Sequence, residues 1–130
     1  MHEQFELGKQ PIVAFIATLD AERARKFYRD TLGLRLVLDQ LPFALVFDAN
    51  GTMLRVTPVK ELHPPGYTVL GWQVPDIADA AKTLEKAGVR FERYPGLEQD
   101  ELGVWTAPGS AAKVAWFKDP DGNTLGISQH

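Results

Sequence analysis

Hydrophobic and polar positions along the chain spell one pattern twice. Ile12 to Ala17 is a short, continuous apolar run rich in branched residues, as expected of a strand covered on both faces. Asp20 offers an N-cap carboxylate, and Ala24, Phe27, Tyr28 and Leu32 then recur at helical spacing up to the stop at Gly33. Three strand-like runs follow, at Leu34–Leu38, Phe43–Phe47 and Met53–Thr57. The last two are joined by Asp48-Ala49-Asn50-Gly51, whose Asn-Gly step suits a tight hairpin. Two prolines and a glycine make Lys60–Gly66 a linker.

After the linker the order restarts. Val69–Val74 reads as a strand and Asp76 as a cap. Ile77, Ala80, Ala81 and Leu84 form a helical stripe that stops at Gly88. A strand is expected at Val89–Arg93, then a long polar stretch from Pro95 to Ala112. A closing hairpin, Val114–Phe117 with Thr124–Ser128, surrounds the turn Asp119-Pro120-Asp121-Gly122. The reading is therefore α+β: βαβββ, linker, βαβββ. It gives one domain over 1–130, with modules at about 11–59 and 68–129 and a linker at 60–67. Half of this chain is too small for a sound core of its own, so the two modules are expected to share one.

Composition narrows the chemistry. With no cysteine, disulfides, thiolate zinc sites and cysteine nucleophiles are excluded. A net charge of −3 and the lack of a basic cluster beyond Arg23, Arg25 and Lys26 argue against nucleic acid as a partner. The N-terminus is polar and acidic, unlike a secretory signal. No apolar stretch approaches the roughly 20 residues needed to cross a membrane, so a cytoplasmic address is expected. Of the three histidines, His2 and His130 are terminal and His63 lies in the linker, and all three read as solvated surface residues.

Two segments carry a resemblance. Ala24-Arg25-Lys26-Phe27-Tyr28-Arg29-Asp30-Thr31-Leu32-Gly33-Leu34 and Phe117-Lys118-Asp119-Pro120-Asp121-Gly122-Asn123-Thr124-Leu125 resemble the "FY…LG" helix end and the "DPDGN" hairpin of the vicinal oxygen chelate superfamily. That superfamily includes glyoxalase I, extradiol dioxygenases and bleomycin-resistance proteins. The resemblance runs from Pro11 to Gln129 and implies the glyoxalase/bleomycin-resistance/dioxygenase fold, with two modules forming a cup-shaped mixed sheet. Both motifs are structural, so they do not name a reaction.

In metal-using members the resemblance implies four His, Gln or Glu ligands on the first and last strands of each module. Here those positions fall on Val13, Arg55, Val69 and Gly126, so no metal or other cofactor is expected. Alternation along the strands turns Phe15, Met53, Arg55, Thr57, Gln73 and Ser128 into the cup, together with the other three ligand positions, Val13, Val69 and Gly126. The opposite set, which includes Ile16, Leu54, Val56, Trp72 and Ile127, is more uniformly apolar and suits the helix-covered face. Gly71 and Gly126 are expected to leave room inside.

Arg55 is open to two readings: a bidentate clamp for a carboxylate or phosphate, or an internal salt bridge to the acidic segment Glu98-Gln99-Asp100-Glu101. Trp105 either covers a bound ligand or anchors its loop. Trp72 and Trp116 read mainly as core, with Trp116 facing the cup if its strand is bulged. The expected function is metal-independent binding of an apolar or amphiphilic small molecule, with an anionic one open through Arg55. The resemblance also implies a homodimer. The alternative is an enzyme of the same superfamily (lyase, isomerase or dioxygenase-like) working without a metal or with one bound atypically. No catalytic acid or base is identifiable for it.

Overall fold

A computed structural model describes residues 4–130. Two four-stranded mixed sheets follow one another along the chain. The first contains β1 (Val13–Thr18), β2 (Arg35–Gln40), β3 (Ala44–Ala49) and β4 (Thr52–Pro58) in the order β1-β4-β3-β2. The second contains β5 (Thr68–Gln73), β6 (Trp105–Thr106), β7 (Lys113–Lys118) and β8 (Thr124–Gln129) in the order β5-β8-β7-β6. In each sheet the first and last strands pair in parallel and the rest antiparallel, as a crossover helix between the first two strands requires.

The crossover helices start where the aspartates predict. Asp20 accepts from Arg23 N at 3.2 Å to open α1 (Ala21–Arg25), and Asp76 accepts from Asp79 N at 3.1 Å to open α2 (Ile77–Lys86). The first helix does not stay regular. From Lys26 to Thr31 it widens into a π-helical turn, closed by Leu32 N donating to Phe27 O at 2.9 Å. Gly33, at φ +78°, ends it and lets Leu34 N reach Tyr28 O.

The two helix-bearing faces share one continuous core. Ile16, Leu45, Phe47, Leu54 and Val56 from the first sheet and Phe117, Leu125 and Ile127 from the second belong to it, with Ala24, Tyr28, Ile77 and Ala81 from the helices. Burial along β4 shows the alternation directly, with Leu54 and Val56 inside and Met53 exposed beside a half-buried Arg55. A second tie is polar. The β7–β8 turn reaches the end of β1 and the start of α1: Asp121 accepts from Thr18 Oγ1 (2.6 Å), Leu19 N (2.8 Å) and Arg23 (3.2 Å), and Asn123 Nδ2 donates to Ala17 O (3.0 Å).

Two expectations are corrected. Val89–Arg93 is not a strand: only Phe91 makes a bridge, to Phe117, while Val89 turns back to Leu84 O. The edge of the second sheet is completed instead by β6, inside the stretch expected to be loop, where Trp105 pairs with Val114. Pro95 and Gly96 break the chain before a longer strand can form, so two short pieces share the edge of β7. Among the described residues, no helix is long and apolar enough to cross a membrane.

Candidate functional site

The candidate site lies on the sheet faces turned away from the core. On the first sheet, Arg55 stands on β4 between Phe15 of β1 and Val46 of β3, and Met53 stands opposite Val13. Thr57 is paired with Ala17 one step further along. This surface is apolar yet open: Phe15 is 68% exposed and Met53 44%. Soluble chains seldom leave large apolar side chains contiguous and bare without a use for them.

Arg55 is half-buried and has no carboxylate partner among the described residues. Within the acidic segment that offered an internal partner, Asp100 is engaged locally. Asp100 Oδ1 accepts from Leu102 N and Val104 N, both at 2.9 Å, while Arg93 donates to the carbonyls of Asp100 and Glu101. The cation Arg35, two strands away on β2, does have a partner, Asp48 at 3.4 Å. Arg55 is thus set on an apolar floor with its guanidinium available.

On the second sheet, Gln73 pairs with Ser128, and Ser128 with Val114. Ser128 Oγ lies 3.2 Å from His130 Nε2. Trp105 is held on β6, its ring 6.0 Å from that of Trp116 and tilted by 36°. Tyr94 meets Trp116 edge-on at 5.5 Å. The seven candidate residues therefore fall into two groups on separate sheets: Phe15, Met53, Arg55 and Thr57 on the first, Gln73, Trp105 and Ser128 on the second.

Trp116 is not a core residue. It pairs with Gly126, on the face opposite to Phe117 and Ala115, and a Cβ on Gly126 would lie 3.6 Å from its Cδ1. The space that Gly126 leaves is therefore filled partly by indole. The signal was present in the alternation Val114-Trp116-Lys118 against Ala115-Phe117, with the second set buried. Val69 is also displaced. A bulge between Thr68 and Leu70 turns Val69 onto the core, so Thr68 stands opposite Thr124, its Cγ2 3.5 Å from where a Gly126 Cβ would be.

The residues at the superfamily's ligand positions do not fit a divalent ion. Val13, Arg55 and Gly126 supply no donor, and the bulge offers Thr68 or Val69 as the fourth. Among the described residues no group of three or more His, Asp or Glu side chains gathers elsewhere to hold one. His63 lies 3.0 Å from Glu61, with both side chains exposed in the linker, while His2 lies outside the described residues.

On the core side, between the end of the first helix and α2, is a cleft of about 420 Å3. It is lined by Leu32, Leu34, Trp72, Leu84, Phe117 and Ile127, with Gln73 at its border. The sequence reading did not anticipate it, because the cleft depends on how the two modules pack.

Comparison with solved structures finds the same fold. A glyoxalase family protein from Enterococcus faecalis superposes with a TM-score of 0.72 at 18% identity, over 92% of this chain and 97% of that one. The lactoylglutathione lyase of Agrobacterium tumefaciens gives 0.70 at 16% identity, over 93% of each chain. A superfamily member from Sphaerobacter thermophilus gives 0.68 at 25% identity, over 93% and 98%. No significant match is found among curated proteins. At these identities the likenesses carry the fold and not a reaction. A sequence profile matches residues 11–127, nearly the whole of both modules, and on that match the chain belongs to the Glyoxalase/Bleomycin resistance protein/Dioxygenase superfamily.

Proposed function

We propose that this chain is a metal-independent binding protein for a small amphiphilic anion, held against the open strand face with Arg55 as its fixed charge. The carrying observation is Arg55, a half-buried guanidinium between Phe15 and Val46 with no carboxylate of its own among the described residues. A carboxylate or phosphate accepting two parallel N–H bonds would satisfy that fork, and the surrounding Phe15, Val13 and Met53 would take an apolar tail. Phe15 is too open to bury a ligand within one chain, so a second copy closing over this face is part of the proposal.

Binding is favoured over catalysis by what stands near the site. The hydroxyl–base contacts on these faces are Ser128 with His130, at the exposed end of β8, and Thr124 with Lys118, where the hydroxyl accepts from the ammonium. Among the described residues no carboxylate orients the imidazole or pairs with the lysine. The test is calorimetric titration of chelator-treated protein with octanoate, beside Arg55→Met and gel filtration of the same samples. Chelator-insensitive binding, weakened at least tenfold by Arg55→Met, is expected. Binding that requires an added divalent ion would overturn the proposal.

A further inference from the structure

On the second sheet, three observations converge next to one another. First, Trp105 and Trp116 form a tilted, half-buried pair on the open face, with Tyr94 edge-on to Trp116. Second, the two strands beside Trp116 present glycines in register, Gly71 opposite Gly126. A Cβ on the exposed Gly71 would meet only the backbone of Gly126 within 4 Å, whereas the buried Gly126 already has Ala115 O, the Thr68 methyl and the Trp116 edge at 3.5–3.6 Å from its own Cβ position. An aromatic wall, with its edge over Gly126, thus borders open backbone at Gly71 on which a flat group can lie.

Third, a charged donor pair stands at the end of that wall. Lys118 follows Trp116 by two residues on the same face of β7, roughly 7 Å along the strand. Its Nζ donates to Thr124 Oγ1 at 2.6 Å, and it has no carboxylate partner among the described residues. Thr124 is only 4% exposed, and because its oxygen accepts from Lys118, its hydroxyl hydrogen remains to be donated. The charge therefore runs against that of the molecule. The chain carries −3 overall, yet on these open strand faces Arg55 and Lys118 are cations without a carboxylate partner among the described residues. Glu92, whose N–H donates to Trp116 O at 2.8 Å, brings a carboxylate to the same edge.

We infer that the second sheet holds a preformed site for a planar aromatic anion. The ring rests against Trp105 and Trp116 beside the open backbone of Gly71, and the acidic group is received by Lys118 and Thr124. Indole walls favour flat π systems over alkyl chains of equal area, and the 7 Å step suits an acid attached directly to a fused ring. This inference rests on the proposed binding function and names the ligand class that the second sheet would select.

The test uses the full chain and three probes of matched size: 2-naphthoate, the neutral 2-naphthylmethanol and the aliphatic octanoate. Calorimetry is expected to give one 2-naphthoate site per chain, roughly tenfold tighter than either comparison probe. Trp105→Ala should remove most of the preference for naphthoate over octanoate. Lys118→Met, a change at an exposed side chain, should weaken naphthoate about tenfold and leave naphthylmethanol alone. Octanoate binding that depends on Arg55, with no preference for naphthoate and no effect of Trp105→Ala, would overturn this inference and leave the proposed function standing. Binding of neither anion would remove both.

Discussion

Tyr28 donates its phenolic hydrogen to Asp119 Oδ2 at 2.7 Å, joining two residues 91 positions apart and on different modules. Each belongs to one of the two motifs on which the superfamily resemblance rests, so the motifs are two halves of a single joint. Asp119 Oδ1 meanwhile accepts from Asp121 N and Asn123 N, which shapes the turn, and Asp121 carries the grip on to Thr18, Leu19 and Arg23. The pattern alone gave each motif a local reason, a helix end and a tight turn. Their shared reason is the packing of one module on the other.

Tyr28→Phe should therefore destabilise the chain by about 1–3 kcal/mol at pH 7, read as a shift in urea midpoint. Burial first, then the charge of Asp119 and the hydrogen bond to it, then the charge of Asp121, hold the Tyr28 phenol far above the usual tyrosine range. The unfolded chain releases this proton near pH 10 and the folded chain keeps it. Above about pH 10 the folded state thus binds more protons, and its stability falls by up to about 1.4 kcal/mol per pH unit. The phenylalanine variant lacks this contribution. Its deficit should be full below pH 10 and shrink above it; a gap constant to pH 11 would detach Tyr28 from the alkaline loss.

Much of the fold was legible because alternation and capping are local. Asp20 and Asp76 cap where expected, and Leu54 and Val56 are buried beside an outward-facing Arg55, as period two requires. What was not legible depends on partners distant in sequence. The outward turn of Trp116 follows from its register against Gly126, and the turn of Val69 onto the core follows from a bulge against Thr124 and Leu125. β6 exists only because Val114 offers an edge to Trp105. The π-helical turn that carries Tyr28 had no signal in side-chain periodicity, because six residues cannot distinguish that period from the ordinary one.

Arg55→Met separates a binding role from a structural one. No carboxylate is left unpaired by the change, and the replacement keeps the apolar stem over Phe15. Thermal and urea unfolding should stay within about 0.5 kcal/mol of the parent protein while anion affinity falls. A loss of several kcal/mol in stability would mean that Arg55 holds the fold.

Gly103→Ala tests how tightly the approach to β6 is built. Gly103 sits at φ +91°, and a Cβ there would come within 2.9 Å of Phe91 Cβ, so backbone strain and a clash act together. A loss of at least about 1–3 kcal/mol is expected, measured against Gly66→Ala, where no atom lies within 4 Å of the added carbon. Equal stability of the two variants would mean that the loop relaxes freely around Phe91.

Gln99 bears on whether the aromatic wall is rigid. Its Oε1 accepts from Tyr94 N at 2.9 Å, and its Nε2 donates to Glu92 O and Gly103 O, each at 2.8 Å. One side chain thus ties the segment carrying Tyr94 to the segment leading into Trp105, with which Gln99 also forms a backbone bridge. Gln99→Ala frees three partly buried backbone groups at once, and roughly 2–3 kcal/mol of stability should go with them. Gln99→Glu is the sharper variant. A carboxylate can still accept from Tyr94 N, but it has no hydrogens for the two carbonyls, which it would face as a negative charge. It should therefore be no more stable at pH 7 than the alanine variant despite being nearly isosteric. If Gln99 fixes the wall, both variants should also weaken the near-ultraviolet circular dichroism of the Trp105–Trp116 pair. An unchanged spectrum together with lost stability would show that the tryptophans are positioned by β6 and β7 alone.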